Sequence, residues 1–208
     1  MLAKGTPWPI YLLPIFIVGF SVPWYRAGFP YTLLYLAILA PLLVFTFLVF
    51  YFFRDPERPT AEGLVAPAHG RVLGVFDEDG RTRVSTFMSP LNVHVIRAPL
   101  DGRVKSMEWS GSGFYRAFKP EADHNVQVRI EFEGGEVPFT VVMISGWIAR
   151  RIVPYLTEGD TVTRGSRMGL IRFGSRVDVI VPQETFRIDV KEGDIVRAGS
   201  SSLGVRAG

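Results

Sequence analysis

From Tyr31 to Phe53 the chain reads YTLLYLAILAPLLVFTFLVFYFF, apolar throughout and without a charge. About 20 such residues are enough to cross a bilayer as a helix, so this stretch fixes the chain's surroundings before anything else does. A second apolar stretch, WPIYLLPIFIVGFSVPW from Trp8 to Trp24, precedes it, shorter and interrupted by Pro9, Pro14 and Pro23. It suits a short kinked span or a re-entrant segment. Trp8, Trp24, Tyr25 and Tyr31 stand at the segment ends, where interfacial aromatics are expected, and Gly28 and Pro30 lie in the tight connection. The expectation is a transmembrane helical hairpin with both ends on one side. Lys4, Arg54 and Arg58 draw that side to the cytoplasm, and Arg26 in the connection pulls the other way. A cleaved signal peptide fits less well, because the first residues are weakly basic and a longer apolar segment follows directly.

Beyond Phe53 the composition changes abruptly. RDPERPTAEG, residues 54–63, is a polar, proline-containing linker, and residues 64–208 form the remaining domain. Residues 1–53 hold Lys4 and Arg26 and no acid, so of 23 basic and 20 acidic residues the remainder keeps 21 and 20. That near balance argues against a nucleic-acid-binding patch. Cysteine is absent, which excludes disulfides, Cys-ligated zinc and a cysteine nucleophile. Short apolar runs (RVLGVF, RVSTFM, NVHVIRA, NVQVRIEF, PFTVVMI, RVDVIV) are broken by Gly, Pro and Asp, the pattern of a mainly β barrel or sandwich. In the last run Val177, Val179 and Val181 share one face and Asp178 takes the other. GWIARRIVPYL, residues 146–156, is the one helical candidate, from the spacing of Trp147, Ile148 and Ile152.

Two phrases recur. APAHGRV (residues 66–72) returns as APLDGRV (98–104), and EGDTVTRGS (158–166) returns as EGDIVRAGS (192–200). The second phrase resembles the hairpins of barrel-sandwich hybrids, the lipoyl- and biotinyl-carrier type of fold. No carrier lysine stands at a hairpin tip, so the likeness is architectural.

Three histidines, His69, His94 and His124, and no H-x-H or H-E-x-x-H pattern give a metal site little support. Strand alternation puts His94 on one face with Asn92 and Ile96. Gly174-Ser175 reads locally as the turn entering the RVDVIV strand. Ser175 needs a base to act as a nucleophile, and local sequence does not say which. Four lysines, Lys4, Lys105, Lys119 and Lys191, show no spacing that supports Ser-Lys chemistry.

Taken in order, FFRDPERP, VAPAHGRV, FMSPLNVHVIRAPLDGRV and ISGWIARRIVPYLTEGDTVTRGSRMGLIRFGSRVDVIVP closely resemble the short, membrane-anchored form of the phosphatidylserine decarboxylase family, from about Phe52 to Pro182. The resemblance implies a proenzyme that cuts itself between Gly174 and Ser175. The Ser175 hydroxyl would attack the Gly174 carbonyl, and elimination would follow. The products are a β chain, residues 1–174, and an α chain, residues 175–208, capped by a covalent pyruvoyl group derived from Ser175. That cofactor would form a Schiff base with the amine of phosphatidylserine and take up the electrons left when CO2 departs, giving phosphatidylethanolamine.

By the same resemblance His94 is the base for Ser175 and a proton donor in decarboxylation, and its ordinary pKa near ~6.5 suits both roles. The family usually has PADG where this chain has PAHG, so His69 stands at the usual Asp position. A histidine cannot supply the negative charge that steadies an imidazolium, but it can orient His94 through a neutral hydrogen bond. Arg150, Arg151, Arg172 and Arg176 are candidates for the lipid phosphate. The expected partners are phosphatidylserine in the cell membrane and the two chains of the one proenzyme, with a homo-oligomer left open. The alternatives are a decarboxylase of another serine-headed lipid, archaetidylserine, and a non-catalytic membrane-tethered barrel-sandwich module.

Overall fold

A computed structural model of the chain describes residues 1–27, 32–147, 151–172 and 174–207, and it divides into two compact units, Met1–Arg54 and Asp55–Gly208. In the first unit a 3-10 turn, Trp8–Leu12, leads into α1, Leu13–Ala27, and α2 follows at Thr32–Phe52. Among the described residues only α2 is long and apolar enough to cross a membrane. Its 21 residues at about 1.5 Å each span about 32 Å, matching a hydrocarbon core of about 30 Å. Tyr35 of α2 stacks on Phe20 of α1 and donates from its hydroxyl to Ser21 Oγ at 2.9 Å. The connection at residues 28–31, on which the hairpin expectation turns, lies outside the described residues.

The second unit is mainly β. Its strands are β1 Leu64–Val65, β2 Gly70–Glu78, β3 Arg81–Met88, β4 Val95–Arg97, β5 Gly102–Ser110, β6 Gln127–Glu133 and β7 Phe139–Ile144. There follow β8 Ile152–Pro154, β9 Thr161–Val162, β10 Arg167–Ile171, β11 Ser175–Pro182, β12 Phe186–Ile188, β13 Ile195–Val196 and β14 Ser202–Arg206. The largest sheet has the order β13-β2-β3-β11-β7-β6-β5-β9, and two three-stranded sheets, β4-β10-β8 and β1-β14-β12, complete the domain.

Alternation sets the core. Val128, Ile130 and Phe132 of β6 point inward while Arg129 and Glu131 lie between them. β7 is buried at every position, which its unbroken apolar run FTVVMI requires of a central strand. Val177, Val179 and Val181 of β11 join the same core. Asp178 does lie on the other face, yet it is buried too, because Arg176 grips it through two hydrogen bonds of 3.0 and 2.9 Å.

The recurring phrases explain one another. Gly193 donates to Val72 O and Val72 N donates to Asp194 O; Gly159 donates to Val104 O and Val104 N to Asp160 O. APAHGRV is thus stitched to EGDIVRAGS, and APLDGRV to EGDTVTRGS. The short strands so made, β13 and β9, close the two edges of the large sheet.

One sequence expectation is corrected. Within residues 146–156, predicted helical, Ile152–Pro154 is a strand that pairs antiparallel with β10, and residues 148–150 lie outside the described residues. Ile152 and Val153 are β-branched and find cross-strand partners in Ile171 and Leu170, which outweighs a short helical periodicity. The domain's described helical turn is instead 3-10, at Pro120–His124.

Candidate active site

Ser175 is the first residue of β11, between β3 and β7, opposite Met88 of β3. On the other side Arg176 pairs with Ile144, so one step further the register sets Ser175 against Ser145, just past the end of β7. Directly opposite residues on antiparallel strands share a face. Both serines are fully buried, and among the described residues neither hydroxyl has a hydrogen-bond partner. A buried hydroxyl without a partner is costly, of the order of 1–3 kcal/mol, and such groups collect where chemistry needs them unengaged.

Gly174 precedes Ser175 with φ +64, and a Cβ built on it would meet nothing within 4 Å. The left-handed backbone, rather than crowding, therefore calls for glycine. Phe173 lies outside the described residues.

His94 comes just before β4 and is fully buried. Its carbonyl accepts from Ile171 N at 3.3 Å, and Val95 pairs with Leu170. Ile171 is four residues from Ser175, so one side of the site is tied to the histidine through β10. The other tie is the turn after Met88. Ser89 donates from both N and Oγ to Asn92 Oδ1, at 2.8 and 2.9 Å, and Asn92 N returns a bond to Ser89 O. This turn carries the chain from Ser175's cross-strand neighbour to His94. His94 Nδ1 lies 3.0 Å from Asn92 O. Only a protonated Nδ1 can donate there, so in the neutral ring the lone pair is on Nε2, the form a base requires.

His69 sits one residue before β2, half-buried. Its Nδ1 accepts from Val93 N at 3.3 Å, next to His94 in the chain, and Arg58 Nη2 stands 3.4 Å away. His69 therefore steadies the backbone that aims the Asn92 carbonyl. Asp101, at the echoing position, instead accepts from Arg164 N at 2.6 Å. His124 ends the 3-10 turn and is exposed.

The four arginine candidates separate. Arg176 is buried, holds Asp178 and also pairs with Asp123. Burial pushes the Asp178 carboxyl up, and the Arg176 guanidinium pulls it down. Arg172 donates from its N to Arg151 O at 3.1 Å, and burial together with the charge of Arg151 lowers its pKa. Arg151 is exposed, and Arg150 lies outside the described residues.

A cavity of about 190 Å³ abuts Gly174 and is lined by Phe87, Pro90, Arg116, Ala117, Phe118 and Trp147. Its cation, Arg116, was not singled out from sequence, because it lies in a loop with no periodicity. A cavity of about 210 Å³ at the far end of β11, beside Ile180, Val181 and Pro182, is remote from Ser175.

Ser175 is thus sealed from solvent and directly follows the Gly174 carbonyl in the chain. The family model described as phosphatidylserine decarboxylase matches residues 45–204. A phosphatidylserine decarboxylase proenzyme of Streptomyces coelicolor is 45% identical over 97% of this chain and 91% of its own length. One from Streptomyces griseus is 46% identical over 80% of this chain and 78% of its own. A putative archaetidylserine decarboxylase proenzyme of Halobacterium salinarum is 42% identical over 98% and 99%. The chain belongs to the phosphatidylserine decarboxylase family, whose members are self-processed decarboxylases.

Proposed function

We propose that the chain decarboxylates phosphatidylserine at a site it makes from Ser175. The observation that carries this reading is the buried, unengaged Ser175 hydroxyl placed directly after left-handed Gly174. His94 Nε2 takes the Ser175 Oγ proton as Oγ bonds to the Gly174 carbonyl carbon. The Gly174–Ser175 C–N bond then breaks, its nitrogen takes a proton, and an ester replaces the amide. Loss of the Ser175 Cα proton expels the residue-174 carboxylate from Cβ. The dehydroalanine left behind takes up water and releases ammonia, which leaves a pyruvoyl group on residue 175.

That group supplies an electron sink for the carbanion formed when CO2 leaves. The chain's own residues do the rest. Ser145, opposite position 175, faces the new group with a hydroxyl. His94 returns a proton to the substrate carbon. Arg116, beside Gly174 in the cavity, takes the lipid phosphate, because Arg176 is held by Asp178 and Asp123.

α2, with α1 beside it as a helical hairpin, anchors the domain on the cytoplasmic face of the membrane. The near-full-length likeness to the archaeal relative favours a second reading in which the lipid backbone is an ether, since the serine head group is the same. The non-catalytic module finds no support in a family of decarboxylases.

Purified wild-type chain should release CO2 from carboxyl-labelled phosphatidylserine, and Ser175→Ala should be uncut and inactive. A Ser175→Ala chain still severed after residue 174 would show that the nucleophile lies elsewhere. Equal assays with archaetidylserine decide the lipid backbone.

A further inference from the structure

We infer that the loop between β5 and β6, together with Trp147, is a docking surface for the bilayer interface, and that it opens the Gly174 cavity toward the lipid. This rests on the decarboxylase reading above. The loop exposes Phe114, Tyr115 and Phe118 at 41%, 48% and 43%, and Trp147 beside it at 62%. Clustered exposed aromatics on a folded domain mark a binding surface.

The exposure is built in. Asn125 is fully buried; its Oδ1 accepts from Tyr115 N at 2.7 Å and its Nδ2 donates to Tyr115 O and Ser145 O, each at 2.8 Å. His124 O accepts from Ser112 N and Gly113 N at 3.0 and 2.8 Å. The loop is therefore braced at its base, and braced to Ser145, while its aromatic side chains face out.

The chemistry selects the occupant. Trp, Tyr and Phe mixed with cations is the composition of a membrane interface, where rings sit at the head-group level and positive charge meets anionic lipid. Arg116 lies 5.9 Å over the Trp147 ring, and Lys119 follows Phe118. Asp123 is paired with Arg176, and Glu121 is the loop's remaining exposed acid. Continuity with the site is direct. Phe118, Trp147 and Arg116 also line the cavity that abuts Gly174, and Phe118 meets Phe87 of β3 edge-on at 5.5 Å. A lipid whose head group must reach residue 175 can enter there without leaving the bilayer surface.

The chain has no cysteine, so one can be introduced as a unique label. Full-length Tyr115→Cys and Glu136→Cys, each carrying an environment-sensitive fluorophore, are reconstituted into vesicles of phosphatidylserine and phosphatidylcholine. Glu136 lies in the β6–β7 turn, at the opposite end of β7 from Ser145. A spin label near the lipid head group should quench the probe at 115 and leave the one at 136 bright. In parallel, Phe114→Ser/Tyr115→Ser should raise KM about tenfold for vesicle-borne substrate through lost interfacial contact. Self-cleavage, and turnover of a short-chain phosphatidylserine that stays monomeric in water, should be unchanged.

Quenching equal at the two positions, a probe at 115 shielded without quenching (as a second protein copy would give), or equal loss on both substrates would overturn the docking surface. A labelled Tyr115→Cys chain quenched at 115, together with an unlabelled wild type unable to turn over either substrate, would sustain the surface and remove the decarboxylase reading.

Discussion

Residues 66–72 and 98–104 carry closely similar phrases, are stitched to the same kind of turn, and differ at Ala68 against Leu100 and at one polar position, His69 against Asp101. Asp101 caps a neighbouring turn by accepting from Arg164 N, at the surface. His69 accepts from Val93 N and meets Arg58, beside buried His94. Closely similar scaffolding thus sets one polar residue on a surface turn and the other against the backbone next to His94. The lesson is that the phrase itself encodes a sheet edge. What lies next to each copy decides whether its polar residue matters to chemistry.

Removing the site from this comparison should give the largest effect. His94→Ala should slow self-cleavage by about 10²–10⁴-fold, the usual contribution of a positioned general base, as followed by the appearance of the small fragment on a denaturing gel. The two matching glycines should then part company. A Cβ on Gly70 would lie 1.9 Å from the Phe87 carbonyl oxygen, fixed backbone, whereas on Gly102 it would meet the movable Phe139 ring at 2.9 Å. Gly70→Ala should therefore cost at least the ~1–3 kcal/mol typical of overpacking, and clearly more than Gly102→Ala, in denaturant melts of otherwise identical chains.

The polar pair itself comes next. His69→Ala should slow self-cleavage about tenfold, equivalent to ~1.4 kcal/mol in the barrier. Asp101→Ala should leave the cleavage rate alone and cost only the ~0.5–1.5 kcal/mol of one hydrogen bond. Equal slowing by the two substitutions would mean that His69 is scaffolding as well.

The smallest effect lies in the linker, where Arg167 bonds Glu57 at 2.6 Å and Asp55 at 2.5 Å. The hydrogen bond from Arg167 holds the Glu57 carboxyl below its ordinary value. A carboxylate depressed in the folded state stabilises above its unfolded pKa, and that contribution fades as pH falls through the folded value. Melts of wild type and Glu57→Gln should therefore converge at acid pH and differ slightly at neutral pH.

Much of the scaffold could be read from the chain. The uncharged run of α2 and the alternation of Val177, Val179 and Val181 are local signals, and local signals survive folding. The strand at Ile152–Pro154 is not legible locally, because its partners, Ile171 and Leu170, stand some way along the chain and are invisible to a short window. Ser145 was missed for the same reason. Its closeness to Ser175 is a matter of register between strands, and nothing in ISGW alone announces it. Gly174-Ser175 looked locally like any turn entering a strand. The expectation that it is a cut site rests on the ordered family resemblance, whereas the burial of Ser175 and the left-handed backbone of Gly174 are tertiary facts. Arg116 had one readable cue: aromatics crowded into the Gly- and Ser-rich loop GSGFYRAF, outside any strand alternation.

The central claim is that residue 175 ceases to be a serine. Intact-mass measurement of the small C-terminal fragment tests it directly. The expected result is a fragment covering residues 175–208 whose first residue is a pyruvoyl group, with its amino group lost and its carbonyl reactive toward a hydrazine. A full-length chain alone, or a fragment beginning with an ordinary serine, would contradict it.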